Sequence, residues 1–215
     1  MQKNESKASY HHGDLRQTLI DAACKHLRES GADTLSLRAI ARDVGVSQTA
    51  PYRHFASKNA LFGAIATHGF ELLALELQRA ADEHSDDVEL AFIEVGLAYV
   101  NWARENSEKY QLFFDSSLVN FKDHPELQEA GERAFQVLIR LIEEGIEQQI
   151  FVDLPVLQMA GTVWASIHGT ASLLLSKSHM DEISIDHSAV VVMKQMASDP
   201  RPHLELFINA LRIPC

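Results

Sequence analysis

From Leu15 onward the apolar positions fall at helical intervals. Leu15, Leu19, Ala22, Ala23 and Leu27 keep the rhythm of a core-facing stripe. A first helix is therefore expected from Asp14, a good N-cap just after Gly13, to a stop at Gly31. Ser36 can cap a second helix whose stripe is Leu37, Ile40, Ala41 and Val44. Gly45 can take the positive φ that ends it, and Ser47 can cap a short third helix. That third segment is different in kind. Phe55, with Tyr52, is its apolar share, while Gln48, Thr49, Arg53 and His54 are hydrogen-bonding or cationic. Pro51 should distort its last turn, unless the helix starts near Gln48 and the proline falls in the first turn. A short polar-faced helix after a helix and a turn is what a helix-turn-helix protein inserts into the DNA major groove.

The rest of the chain also reads as helices. Ser57-Lys58 opens one to about Glu83, with Leu61, Ile65, His68, Leu72 and Leu75 assigned to one face. Its strongest interruption is Gly69, so it would tie the first sixty or so residues rigidly to the remainder of the chain. Further helices are expected from Asp86-Asp87 to about Arg104, in a short aromatic stretch at Tyr110 to Phe114, and from Pro125 to about Gln149. The last three run from Pro155 to about Lys177, from Asp186 to Ala197 despite β-branched density at Ile183 to Val192, and from Pro200 to Leu211. The segment 154–176 is apolar on all sides: Leu157, Ala160, Trp164, Ile167, Ala171 and Leu174 form one face, with Met159, Val163, Leu173 and Leu175 on the others. Such a helix must be covered nearly all round, and a second copy of the chain is the simplest cover. The alternative is a central helix in a monomeric bundle.

Composition adds limits. The 215 residues are 46% apolar and 23% charged, ordinary for a soluble globular protein with a sizeable core. No run reaches the roughly 18 apolar residues of a membrane span, and the polar start at Met1 to Lys7 has no signal-peptide core. No membrane partner and a cytoplasmic setting are expected. Cys24 and Cys215 make no disulfide framework, and no metal or cofactor pattern is present in the sequence. The net charge of −11 divides unevenly, with +3 over residues 1–60 and −14 over residues 61–215. A basic module on an acidic body points to a polyanionic partner.

In this order and spacing, Leu35-Ser36-Leu37-Arg38-Ala39-Ile40-Ala41, Gly45-Val46-Ser47, Tyr52-Arg53-His54-Phe55 and Ser57-Lys58 with Ala60-Leu61-Phe62 resemble the tetracycline-repressor (TetR) family of bacterial transcriptional regulators. More narrowly, Tyr10 to Arg16 and Trp164-Ala165-Ser166-Ile167-His168-Gly169 resemble its branch with a Trp-His-Gly (WHG) ligand-domain motif. The resemblance implies an all-α fold of nine or ten helices. It implies a polar arm at 1–12, a three-helix DNA-binding domain at 13–56, and a ligand-binding and dimerisation domain at 57–215. By the same resemblance Arg38, Gln48, Thr49 and Arg53 would meet base edges, while Ser36, Leu37, Tyr52, His54 and Lys58 would meet phosphates, with Ser47 beside them. That division suits the chemistry, because Arg and Gln grip purine edges bidentately and hydroxyls, amides and Lys fix register.

Trp164 and His168, four apart, share a helix face. With Tyr99, Trp102, Phe113 and Phe114 expected nearby, they are candidates for an apolar pocket with one polar handle, although aromatics at helical spacing also suit a plain core. The expected partners are double-stranded DNA, a second copy through the helices near 154–176 and 200–211, and a small-molecule effector. The expected function is a homodimeric regulator, most simply a repressor, acting on a palindromic operator. Rival readings are a ligand-independent binder or activator, and an enzyme using His168 with Glu143 or Glu144. For the enzyme no nucleophile–base pair, phosphate loop or metal spacing is visible in the sequence.

Overall fold

The protein is described here by a computed structural model that covers residues 12–115, 117–175 and 188–213. Those residues form nine α-helices, two 3-10 turns and one isolated bridge between Phe151 and Arg212. The polar arm lies outside them, except for His12, and so does Cys215.

The first helix, α1 (His12–Thr34), starts two residues before Asp14 and carries helical turns past Gly31. Gly31 still interrupts it, with φ 74° and ψ 173°, a conformation a side chain would strain. The chain then enters α2 (Leu37–Val44), where the Ser36 hydroxyl accepts the Ala39 amide at 3.1 Å. Gly45, at φ 77° and ψ 27°, ends α2 by the left-handed route, and the Val46 amide returns to the Ala41 carbonyl at 2.9 Å.

The expected third α-helix is not formed. A turn closed by the Ala50 amide on the Ser47 carbonyl (2.9 Å) leads into a 3-10 turn, Pro51–Arg53. Proline supplies the reason. Pro51 has no N–H to reach back four residues, so the Ser47 carbonyl is taken one residue early and the coil tightens. Pro51 itself is buried, and the His54 and Phe55 amides both return to its carbonyl.

Ser57 caps α3 (Lys58–Asp82) by accepting the Ala60 amide at 3.1 Å. This helix is long and apolar enough to cross a membrane by length and composition, yet half of the qualifying stretch is buried inside the fold. Its inner arc is Leu61, Phe62, Ile65, Ala66, Phe70, Leu73 and Leu77, packed on later helices of the chain. The face assigned from the sequence drifted off this arc: Leu72 is only partly buried and Leu75 is exposed. A helix packed on several sides buries an arc wider than a single stripe.

Around α3 stand α4 (Val88–Glu105), α5 (Ser107–Phe114), α6 (Pro125–Glu147) and α7 (Val156–Leu175), with α8 (Ser188–Ser198) against α7 and α9 (Arg201–Leu211) against α4. Asp87 caps α4 by accepting the Leu90 amide, and Pro125 opens α6 where its missing N–H costs nothing. Two antiparallel backbone bonds, Val152 to Leu211 and Ile213 to Ile150, tie the α6–α7 connection to the end of α9. The fold is all-α, as the periodicity predicts.

Candidate functional site

Two features are candidates: a polar face on the first three elements and an aromatic cavity in the body. On the polar face, Leu19, Ile20, Ala23, Leu35, Leu37, Ile40 and Phe55 are all buried beneath. Ser36, Arg38, Ser47, Gln48, Thr49, Tyr52 and Arg53 are all exposed above. Burial of the apolar side leaves the hydrogen-bonding groups no choice but the outside. The Ser47 and Thr49 hydroxyls lie 3.2 Å apart, and Arg16 stands over the Phe55 ring at 5.5 Å.

Three of the candidate residues stand differently from a simple surface contact. The Leu37 side chain is in the core, so only its amide, at the first turn of α2, remains for a partner. His54 is half-buried beside Phe55. Lys58 donates to the Ala32 carbonyl at 2.7 Å and lies 5.3 Å from the Phe62 ring centroid. It therefore fastens the end of α1 to the start of α3, whatever else its remaining protons meet.

The cavity occupies about 340 Å³ between α3, α4, α5, α6 and α7. Half of its sixteen lining residues are aromatic. Tyr99, Phe113, Phe114 and Trp164 from the predicted set line it. Phe70, Phe92, Phe121 and Phe135, which sequence reasoning missed, line it too. Trp102 is buried behind the wall, stacked on Phe113 with centroids 5.4 Å apart, and Phe113 stacks on Phe70 at 3.8 Å. Phe114 and Trp164 are each 39% exposed, so they form the rim where the cavity meets the surface.

His168 also stands behind the wall rather than in it, 4.0 Å from Phe114 and 5.4 Å from Trp164 by ring centroid. Its Nδ1 lies 2.6 Å from the Tyr110 hydroxyl, which also reaches the His168 carbonyl at 3.3 Å, and the Tyr99 hydroxyl is 3.5 Å away. The other ring nitrogen, Nε2, faces the Ser172 hydroxyl at 3.4 Å. Burial lowers the His168 pKa, and burial raises those of Tyr99 and Tyr110. All three groups are thereby held uncharged at neutral pH.

One short helix touches both the first helix and the cavity. The Glu108 Oε1 of α5 accepts from Arg28 of α1 at 2.5 Å, while Phe113 and Phe114 of the same helix line the cavity. Glu108 is buried, and its Oε2 is the buried side-chain oxygen left without a hydrogen-bond partner among the described residues. Cys24, nearby on α1, is core as expected, and burial pushes its thiol up to about 11. It stays protonated and inert.

A helix-turn-helix unit with an exposed polar face, joined by a continuous helix to a cavity-bearing helical body, gives the chain the two-part architecture of a helix-turn-helix protein. Comparison with known proteins narrows this. Residues 19–65 match the profile of the bacterial regulatory proteins of the tetR family, and residues 92–196 match a tetracyclin repressor-like C-terminal domain. The chain belongs to the TetR family. The HTH-type transcriptional regulator Rv1816 of Mycobacterium tuberculosis is 31% identical over 117 residues, which is 52% of this chain and 48% of that protein. The chain thus spans about half the length of the curated relatives it first matches. Among solved structures, a Rhodococcus sp. RHA1 protein of unknown function superposes with a TM-score of 0.77 at 28% identity, over 96% of this chain and 100% of that one. The TetR-family regulator PfmR of Thermus thermophilus shares the fold, with a TM-score of 0.64 at 18% identity, 89% of this chain and 97% of that one being covered.

Proposed function

We propose that the chain is a transcriptional regulator, in its simplest form a repressor, that binds a palindromic operator as a homodimer and is re-tuned by a small molecule. One observation carries the reading: the polar residues of the second and third elements all face out from a closed apolar core, on a module more basic than the body it serves. Arg38, Gln48, Thr49 and Arg53 are the base-reading candidates in this proposal. Ser36, Ser47, Tyr52, His54, Lys58 and the Leu37 amide are the backbone-positioning ones. The domain division proposed with it is 13–56 and 57–215. It rests on Ser57 opening α3, which packs on α1 and on the helices of the body.

The dimer reading rests on an uncovered face. Leu157, Gly161, Ala165, Gly169 and Leu173 recur every four residues along α7, none of them fully buried. Leu157 is 70% exposed, Leu206 of α9 is 66% exposed, and nothing approaches where a Cβ would stand at Gly161 or Gly169. Small residues between leucines let a second helix approach closely, and a second copy supplies that helix. The effector reading rests on the cavity, whose wall includes Phe70 of the same helix that starts at Lys58.

Fragments selected from genomic DNA by the purified protein, followed by mobility shifts, test the reading. Tyr52→Ala should weaken binding on every fragment and Gln48→Ala should relax sequence preference. Lys58→Ala should lower both affinity and the salt slope. Wild-type affinity in Tyr52→Ala and Lys58→Ala together would sink the interface.

A further inference from the structure

We propose that the cavity binds a neutral, planar aromatic molecule of about two or three fused rings, carrying one hydrogen-bonding group directed at Tyr99. The inference rests on the effector reading above and names its chemistry. Size sets the first limit. At about 340 Å³ the cavity lies at the small end of the roughly 300–1,000 Å³ range of small-molecule sites, which suits a bicyclic or tricyclic ring system.

Charge sets the second. Among the described residues no Asp, Glu, Lys, Arg or His lines the cavity, so an ion entering it would lose its water without gaining a counter-charge. Burial shifts Tyr99 in the wall, and Tyr110 and His168 behind it, toward their neutral forms.

The wall sets the third. Rings supplied by six elements surround the space, and offset or edge-to-face ring pairs gain more than the area they bury. Phe113 is fixed between Phe70 and Trp102, so this wall is rigid and selects for flat partners.

The polar handle is the last element. Tyr99 and Trp164 bring the side-chain hydrogen-bonding groups of the described lining. Tyr110 already occupies His168 Nδ1 at 2.6 Å, whereas the Tyr99 hydroxyl reaches that atom only at a long 3.5 Å. Tyr99 also interacts with Tyr110 and Trp164, so a ligand hydroxyl or carbonyl at Tyr99 would join an existing hydrogen-bond network.

The test measures binding to the full-length protein by tryptophan fluorescence and thermal shift, without DNA. The probes are 2-naphthol, 2-naphthoate, 1-naphthylmethylammonium and 1-decanol. 2-Naphthol should bind about tenfold or more tightly than each of the other three. Tyr99→Phe should weaken 2-naphthol about fivefold while leaving naphthalene unchanged. Gly131→Leu, which extends a side chain from a cavity-lining glycine whose Cβ would stand 3.8 Å from its nearest neighbour, should abolish binding in a folded protein. Equal affinity for decanol or for either ion, or binding of none of the four, overturns the inference. Naphthol binding that leaves operator affinity unchanged would uphold it and count against the effector reading alone.

Discussion

Gly69 offers the sharpest test of how the body is built. It lies in the middle of α3, and a Cβ added there would stand 2.7 Å from Phe113 Cζ, 2.8 Å from Cε1 and 3.2 Å from Lys109 Cβ. Carbon–carbon contact is best at about 3.5–4.0 Å, so Gly69→Ala is short by close to 1 Å. The ring cannot swing away, because it is sandwiched between Phe70 and Trp102 and only 3% exposed. Either α5 lifts off α3 or the stack breaks. Overpacking of this kind costs about 1–3 kcal/mol. Replacing a mid-helix glycine by alanine returns about 1 kcal/mol. The net expectation is a loss of about 0–2 kcal/mol, or up to about 8 °C in melting temperature at roughly 2–4 °C per kcal/mol. Urea denaturation measures it, and a double-mutant cycle with Phe113→Leu isolates the cause. With the ring gone the alanine should cost nothing or stabilise, a coupling of about 1–2 kcal/mol. If Gly69→Ala instead stabilises the wild-type background by the full propensity gain, the close approach of α5 to α3 is refuted.

Two further outcomes are expected from the same geometry. Arg28→Ala should destabilise by about 1–3 kcal/mol, because it leaves the buried Glu108 carboxylate with Lys109, 3.5 Å away, as its remaining cation, and the half-exposed arginine softens the loss. Adding Glu108→Gln should recover much of that in denaturant melts, and wild-type stability in Arg28→Ala would refute the linkage. Ala165→Trp should turn the proposed dimer into a folded monomer in sedimentation experiments, since the exposed site tolerates the ring in one copy to within about 0.5 kcal/mol; a dimer of unchanged strength would remove α7 from the interface.

Much of this was legible from local chemistry. The Ser36, Ser57 and Asp87 caps, the left-handed Gly45 and the stripe of α2 each depend on a few neighbouring residues, and each stands where the sequence places it. Pro51 was legible only as a conflict. Its missing amide was certain, but the 3-10 turn depended on which carbonyl the Ala50 amide would take. The polar face needed only the apolar stripe opposite it, so its exposed residues followed from periodicity.

The cavity did not follow from periodicity, because helical spacing fixes which side of a helix is apolar and not which helices share that side. Phe70, Phe92, Phe121 and Phe135 sit on separate elements whose meeting was unreadable, and Trp102 and His168 fell one layer behind the wall they were assigned to. The Arg28–Glu108 pair, eighty residues apart, is likewise a product of packing. By itself the sequence determined the helices, their caps and a polar face on a basic module, since these depend on bonds within a turn or two. Tertiary structure alone decided the aromatic chamber and the short helix that touches both it and α1, since both are made of contacts between elements distant in the chain.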